Sequence, residues 1–536
     1  MAEETTGPGA APATPPAGPA APSARPAPLH GAPLFAGTIA LSLATFMNVL
    51  DTSIANVSIP AIAGDTGVSP NQGTWVITSF AVSSAISVPL TGWLAQRFGQ
   101  VKVFLWSTIL FTIASLLCGF APNLQTLIAF RVLQGAVAGP MIPMSQALLL
   151  SSYPPARAGT AMALWAMTTL VAPIVGPPLG GWISDNLSWP WIFYINGPVG
   201  VVAAWITWRV YRKRETPTRI LPVDAVGLGL LVVWVGTLQI MLDKGRELDW
   251  FAASEIVILA AVAAVGFVVF LIWELTEDHP VVDLALFRRR NFTIGATGMA
   301  LSYGVFFGNV VLLPLWLQQF MSYTATDAGL VLAPVGLLAI LFSPWVGRNV
   351  SRFDPRAFAT VSFVVFALVL GMRSLFSTDA DDYTIVIPAV IQGIAMAFLF
   401  VPLTTIVLSG LPPERIAAAT GLSNFLRLTA GAFGTSVTTT LWDNRAQLHH
   451  EQLAAQISDY VPTASQTLQQ LQSLGMDHDQ SLAVVNRLID VQSYTLAADE
   501  IFYGSAALFL ALIGLVWFAR PGPRQKGGPM SVSDAH

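Results

Sequence analysis

Charged side chains are scarce in this chain. Asp, Glu, Lys and Arg make up 10% of its 536 residues, against about 25% in a soluble globular protein. With 54% hydrophobic residues and a mean hydropathy of +0.63, that shortage excludes a water-soluble domain and makes this an integral membrane protein. Cysteine is nearly absent. The single Cys118 rules out a disulfide framework or a cysteine-based metal site and reads as a small apolar packing residue. No G-x-x-x-x-G-K-[ST] run exists, so nucleotide-driven chemistry is not expected. Gly227-Leu228-Gly229 falls in an apolar span and is no nucleotide loop, and His449-His450-Glu451 reads as polar loop rather than metal site. No nucleic-acid motif is present, no cofactor is implied, and no residue is expected to be catalytic. Residues 1–33 carry one basic residue, Arg25, and are rich in Pro and Ala. Such a tract cannot bury a core and reads as a disordered cytoplasmic tail rather than a secretion signal.

What the chain has instead is about fourteen apolar segments of spanning length, from 34–61 to 498–519. An even number puts both termini on one side of the membrane. With that side cytoplasmic, nineteen of the 26 Lys and Arg residues fall on the cytoplasmic face and four on the other, and Arg131, Arg373 and Arg427 lie within spans. The positive-inside rule therefore predicts cytoplasmic termini. The loops are short except residues 444–496, a polar stretch in which Leu468, Leu471 and Leu474 recur at helical spacing, which predicts a small helical hairpin on the outer side.

The two halves of the chain resemble each other. Pro89-x-x-Gly92 followed by Arg97-Phe98 recurs as Pro344-x-x-Gly347 followed by Arg352-Phe353. Gln134-Gly135 with Pro154-Pro155-x-Arg157 recurs as Gln392-Gly393 with Pro412-Pro413-x-Arg415, and Asp185-Asn186 as Asp443-Asn444. Parallel repeats of this kind mark transporters. They predict an N-terminal six-helix bundle at 34–215, two inserted spanning helices at 216–280, a C-terminal bundle at 281–520 and a cytoplasmic tail at 521–536.

The repeat separates shared architecture from chemistry. Asp51, inside the run LSLATFMNVLDTSIANVSIP, falls opposite Val305. Arg131 falls opposite Ala389, and Arg427 opposite Thr169. A carboxylate in mid-membrane costs roughly 2.5 to 3.5 kcal/mol, a cost that proton uptake relieves, so Asp51 is the candidate proton carrier. It lies roughly 15 Å below the outer end of its helix, and Arg131 roughly 8 Å below the same face, close enough to meet if the helices pack. Arg427 is the candidate contact for anionic or polar parts of a substrate, with Asn56, Gln134 and Asn424 as hydrogen-bonding partners. Arg373, near an outer helix end, is expected to snorkel to water. Asp499 and Glu500 are expected to meet solvent there.

Four stretches resemble the major facilitator superfamily. LDTSIANVSIP is similar to the acid-bearing first-helix motif of its fourteen-helix drug/proton antiporters. GWLAQRFGQVK is similar to the loop motif between helices 2 and 3, FRVLQGAVAGP to the helix-4 arginine motif, and APIVGPPLGG to the antiporter motif of helix 5. KGRELDWF, ELTEDHPVVDL and the long outer loop bring it nearest to the EmrB-type multidrug exporters. One departure is Gln96, where the superfamily usually has Asp.

The resemblance implies an all-α membrane protein with the major facilitator fold, fourteen transmembrane helices arranged as two six-helix bundles plus two inserted helices. It implies a secondary transporter rather than an enzyme, proton-coupled efflux of hydrophobic drugs through Asp51 and Arg131, and conformational roles for Gly92, Arg97 and Gly99 and for Gly176, Pro177, Gly180 and Gly181. Implied partners are a periplasmic adaptor and an outer-membrane channel, hence a bacterial inner membrane. Other readings are export of one metabolite or siderophore, and a membrane sensor that transports nothing.

Overall fold

The computed structural model describes residues 27–220, 222–350, 352–455 and 462–520. The tail expectations for 1–26 and 521–536, and part of the outer loop, lie outside the described residues. Fourteen long helical segments, labelled α1 to α14 in chain order, are present among them, and thirteen of these, counting two bent ones, are long and apolar enough to span a membrane. Eleven of them run without a sharp bend. These are α1 (Gly31–Val57), α3 (Gln100–Gly119), α4 (Leu124–Ser152), α6 (Trp191–Tyr211), α7 (Ala225–Lys244), α8 (Ser254–Thr276), α9 (Arg290–Phe320), α10 (Asp327–Asn349), α11 (Pro355–Arg373), α12 (Asp382–Leu408) and α14 (His478–Trp517).

Two more spans are bent. The second, α2, runs Trp75–Ser87 then Thr91–Phe98 with a 59° bend, at the place where Pro89 removes a backbone donor. The fifth, α5 (Ala158–Asn186), bends by 41° between Pro173 and Pro178. The last, α13 (Pro413–Ala454), is the least apolar, because Asn424, Arg427 and a series of Ser and Thr residues line its buried face. Helices are the expected answer to the composition, since lipid offers no partner for an open backbone amide.

Spans α1–α6 pack among themselves, as do α9–α14. The two halves meet at the face that carries the arginine-rich loops. A Cβ on Gly92 of α2 would lie 2.6 Å from Ala418 Cβ of α13, and one on Gly347 of α10 would lie 2.7 Å from Ala163 Cβ of α5. These are the same contact made twice. Gly92 and Gly347 are repeat counterparts, and each meets the first turns of the span that follows the Pro-Pro-x-Arg signature in the other half. Small residues let the backbones approach at both places.

The pair α7–α8 lies beside this junction. Trp234 of α7 sits edge-on to Phe425 of α13, with ring centroids 5.8 Å apart. The linker before the pair is tied to the first half. Glu215 accepts from Val101 N at 3.0 Å and Lys102 N at 2.9 Å, capping α3, and Arg219 N donates to Gln96 O at 2.8 Å. The linker after it is tied to the second half by a 2.6 Å ion pair between Asp283 and Arg415.

At the opposite face α13 and α14 run on past the other spans, to 42 and 40 residues, with a short helix Pro462–Ser473 between them. Arg445 and Glu500 pair at the base of these extensions at 2.6 Å. Where they leave the bundle, Tyr494 stacks on Phe320 at 4.3 Å and its carbonyl accepts from the Trp442 indole at 2.9 Å.

Gly92→Ala and Gly347→Ala should each lower the thermal unfolding midpoint in detergent, since overpacking costs about 1–3 kcal/mol. Gly229→Ala, with no atom within 4 Å of the new methyl, should leave it unchanged or raise it slightly through helix propensity.

Candidate functional site

Asp51 is 2% exposed and every polar contact it makes crosses to another helix. Its Oδ2 accepts from Arg131 Nη1 of α4 at 2.6 Å. Its Oδ1 accepts from Gln134 Nε2 of the same helix at 3.1 Å and from Asn196 Nδ2 of α6 at 2.8 Å. Arg131 is fully buried. Its Nη1 also donates to Gln134 Oε1 at 2.8 Å and its Nε to the Val76 carbonyl of α2 at 3.0 Å. The guanidinium lies over the Phe80 ring at 4.3 Å, with Phe193 at 5.5 Å. The carboxylate therefore holds three donors, one of them charged, which is the arrangement that tolerates an ionised acid away from water.

Glycines set the helix spacing that this requires. At Gly135 a Cβ would collide with the Ser83 hydroxyl and the Phe80 carbonyl of α2, so α4 comes close enough for Arg131 to reach Val76. A Cβ on Gly176 would lie 2.6 Å from Ser53 Cβ, and one on Gly180 3.0 Å from Ile54. Both touch α1 within one turn of Asp51. Gly181 is looser, with Val57 at 3.9 Å; Pro177 is in the same helix, but its side chain is outside the described set. Asn48, one turn before Asp51, donates to the Ala138 carbonyl at 3.1 Å and ties α1 to α4.

The remaining candidates fall in two other places. Arg427 is 5% exposed and no ion pair joins it to a carboxylate among the described residues. Its Nη2 donates to Asn424 Oδ1 at 2.9 Å, and Asn424 Nδ2 donates to Gln146 Oε1 of α4 at 2.8 Å. Tyr303 of α9, Phe400 of α12 and Trp165 of α5 surround the guanidinium at 4.7, 5.6 and 6.0 Å. This cluster spans both halves. Gln134, grouped with Arg427 on sequence, belongs instead to the Asp51 cluster. Asn56 is exposed near the end of α1, apart from both. At the arginine-rich face, Arg97 lies against Trp93 and Phe98 at 5.3 and 5.6 Å, and Gly99 turns the chain into α3 at φ +94°.

A cavity of about 1170 Å³ opens between the halves at that face. Ala147, Met162 and Thr404 form part of its wall and Arg214, Arg352 and Arg520 part of its rim.

Several placements depart from expectation: His449-His450-Glu451 is helical, within α13 rather than a loop, and Asp499 is half-buried with its Oδ1 closed to solvent. Arg373 does not snorkel: it is 2% exposed and donates to Gln392 Oε1 at 2.7 Å. Gln392 is the repeat counterpart of Gln134, so the glutamine accepts from a guanidinium in both halves, although the arginine comes from α11 in one and α4 in the other. Asn196 was not singled out from the sequence. It is a polar residue in the apolar run WIFYINGPVGVV, a signal too common to mark a site without its neighbours.

The comparisons with known proteins agree with this architecture. The Major Facilitator Superfamily model matches residues 41–435. The multidrug export protein EmrB of Escherichia coli K12 is 54% identical over 502 residues, covering 94% of this chain and 98% of its own length. The fatty acid resistance protein FarB of Neisseria gonorrhoeae is 50% identical over 501 residues, covering 94% and 99%. Among solved structures, the human organic anion transporter MFSD10 superposes with a TM-score of 0.59 at 14% identity, covering 91% of this chain and all of that one, a likeness of fold alone. The family match, an internal repeat and this degree of identity place the chain in the major facilitator superfamily, as a multi-pass secondary transporter of the EmrB multidrug-exporter type.

Proposed function

We propose that the chain exports hydrophobic drugs and toxic compounds from the bacterial cytoplasm in exchange for inward-moving protons, with both termini cytoplasmic. The observation that carries this reading is the buried Asp51–Arg131 pair at 2.6 Å. An acid so held keeps its charge while the guanidinium stays; when the bundles rock and Arg131 withdraws, the same acid takes a proton to remain in a low-dielectric site. One charge falling through about 100 mV releases roughly 2.3 kcal/mol, enough for more than a tenfold gradient of substrate. The halves at about 34–215 and 281–520 act as the rocking bodies. Gly176, Pro177, Gly180 and Gly181 let α5 slide on α1 beside the acid, and Gly92, Arg97 and Gly99 serve the junction at the cytoplasmic face.

The Arg427 cluster is the substrate contact in this scheme. Its aromatic walls suit apolar groups and its uncompensated cation suits an acidic one. The FarB relative, named for fatty acid resistance, makes amphipathic acids a reasonable part of the substrate range. The extensions of α13 and α14 are the surface for a periplasmic adaptor that links to an outer-membrane channel. Competition among chemically unrelated drugs would disfavour a dedicated metabolite or siderophore exporter, and substrate-dependent proton flux would exclude a sensor.

In proteoliposomes, Asp51→Asn should insert normally and lose proton-driven efflux; undiminished efflux would end the coupling assignment. Arg427→Gln should weaken export of acidic compounds roughly tenfold more than neutral ones, the scale of a lost hydrogen bond to a charged group; equal loss for both would remove its substrate role. Deletion of 452–490 should abolish co-purification with the adaptor without reducing membrane insertion.

A further inference from the structure

Every group that touches Asp51 donates to it, which suits the ionised acid and leaves the protonated one without a partner. A carboxylic acid must itself donate, and in a site closed to water an unmet O–H is costly. The groups around Asp51 differ in their capacity to accept. Arg131 has only donors. Gln134 turns its oxygen away, toward Arg131 Nη1 at 2.8 Å and the Cys118 thiol at 3.6 Å, so its amide is held in the donating pose while the guanidinium is in place and keeps the thiol as a partner when it is not.

Asn196 is different. It is 1% exposed, and one amino group, Nδ2, serves both Asp51 Oδ1 at 2.8 Å and Ser115 Oγ of α3 at 2.9 Å. The Ser115 hydroxyl in turn donates to the Phe193 carbonyl at 2.9 Å. Half a turn of the Asn196 amide would bring its oxygen to both positions. It would then accept from the Asp51 acid and from Ser115, whose hydroxyl needs only to rotate away from Phe193.

We infer that Asn196 is a positioning residue that lets the site hold both charge states of Asp51. Its amide donates to the carboxylate and, turned over, accepts the proton of the acid, with Ser115 as the rotor that follows it. The inference rests on the reading of Asp51 as the proton carrier. The charged and titratable groups facing Asp51 are Arg131 from α4 and the Cys118 thiol from α3. Among the described residues α2, α5 and α6 present no others.

The test is infrared difference spectroscopy of the full-length protein stepped between acid and alkaline pH, with the carboxylic C=O band of Asp51 assigned by its loss in Asp51→Asn. In Asn196→Leu the band should move to the higher frequency of an acid whose O–H is unbonded. Its midpoint should rise by about one pH unit, because a bond to a charged group outweighs one to a neutral group. Ser115→Ala should shift the midpoint the same way, and serves if the leucine variant does not fold. Asn196→Gln, which keeps the amide, should recover the wild-type frequency. A band that titrates in the wild type and is unmoved in frequency and midpoint by Asn196→Leu and Ser115→Ala overturns the inference alone. A wild-type protein with no Asp51 band at any pH removes the proton site and this inference with it.

Discussion

A carboxyl group is held against a guanidinium in the interior of a membrane protein, and the first half is built around that contact. An ion pair in a low-dielectric interior gains from attraction only if geometry and further hydrogen bonds offset desolvation. Here the offset is visible atom by atom. Arg131 supplies the charge, Gln134 and Asn196 supply the other two donors to Asp51, and the Val76 carbonyl holds the guanidinium in line. None of these reaches without close helices. Gly135 brings α4 to α2, and Gly176 and Gly180 bring α5 to α1. The small residues of the first half are thus part of its electrostatics, since a methyl group at these points would part the helices and lengthen the bonds.

The second half repeats the fold without the acid. Its glutamine, Gln392, still accepts from a buried arginine, but no ion pair to a carboxylate follows there among the described residues. Its other buried cation, Arg427, meets aromatic rings and an asparagine. One half therefore carries a neutralised charge and the other two guanidinium groups set in amide and aromatic surroundings. Duplication supplies the symmetric junction at Gly92 and Gly347, where identical needs met identical residues. The buried Asp51–Arg131 pair and the Arg427 cluster lie where the two copies have diverged.

How much of this could be read from the sequence follows from the kind of signal involved. The fourteen spans were legible because lipid punishes charge residue by residue; even α13, polar on one face, was placed at 416–442 because its flanks are more polar still. The approach of Asp51 and Arg131 was legible because depth in the membrane is counted along a helix. Azimuth is not. Which way a side chain points round its axis depends on neighbours from other helices, and for that reason depth alone groups Gln134 with Arg427, sends Arg373 to solvent and gives Asn196 no weight. Arg373 shows the limit plainly: the last residue of α11 looks like a helix end in one dimension and is covered by packing in three.

The two longest helices have a mechanical consequence. At 1.5 Å per residue, α13 with its 42 residues measures about 63 Å, roughly twice the hydrocarbon thickness of a bilayer. Residues 443–454 carry it roughly 18 Å past the apolar stretch at 416–442, and the Arg445–Glu500 pair braces the base of this extension to α14. Arg427 and Asn424 occupy the inner arm of this rod and residues 443–454 its outer arm. A tilt of about ten degrees at the bundle would sweep an arm of roughly 18 Å through roughly 3 Å. A rearrangement too small to alter the shape of the embedded body would thus be magnified at its summit, and the displacement would be delivered beyond the membrane without any joint to absorb it.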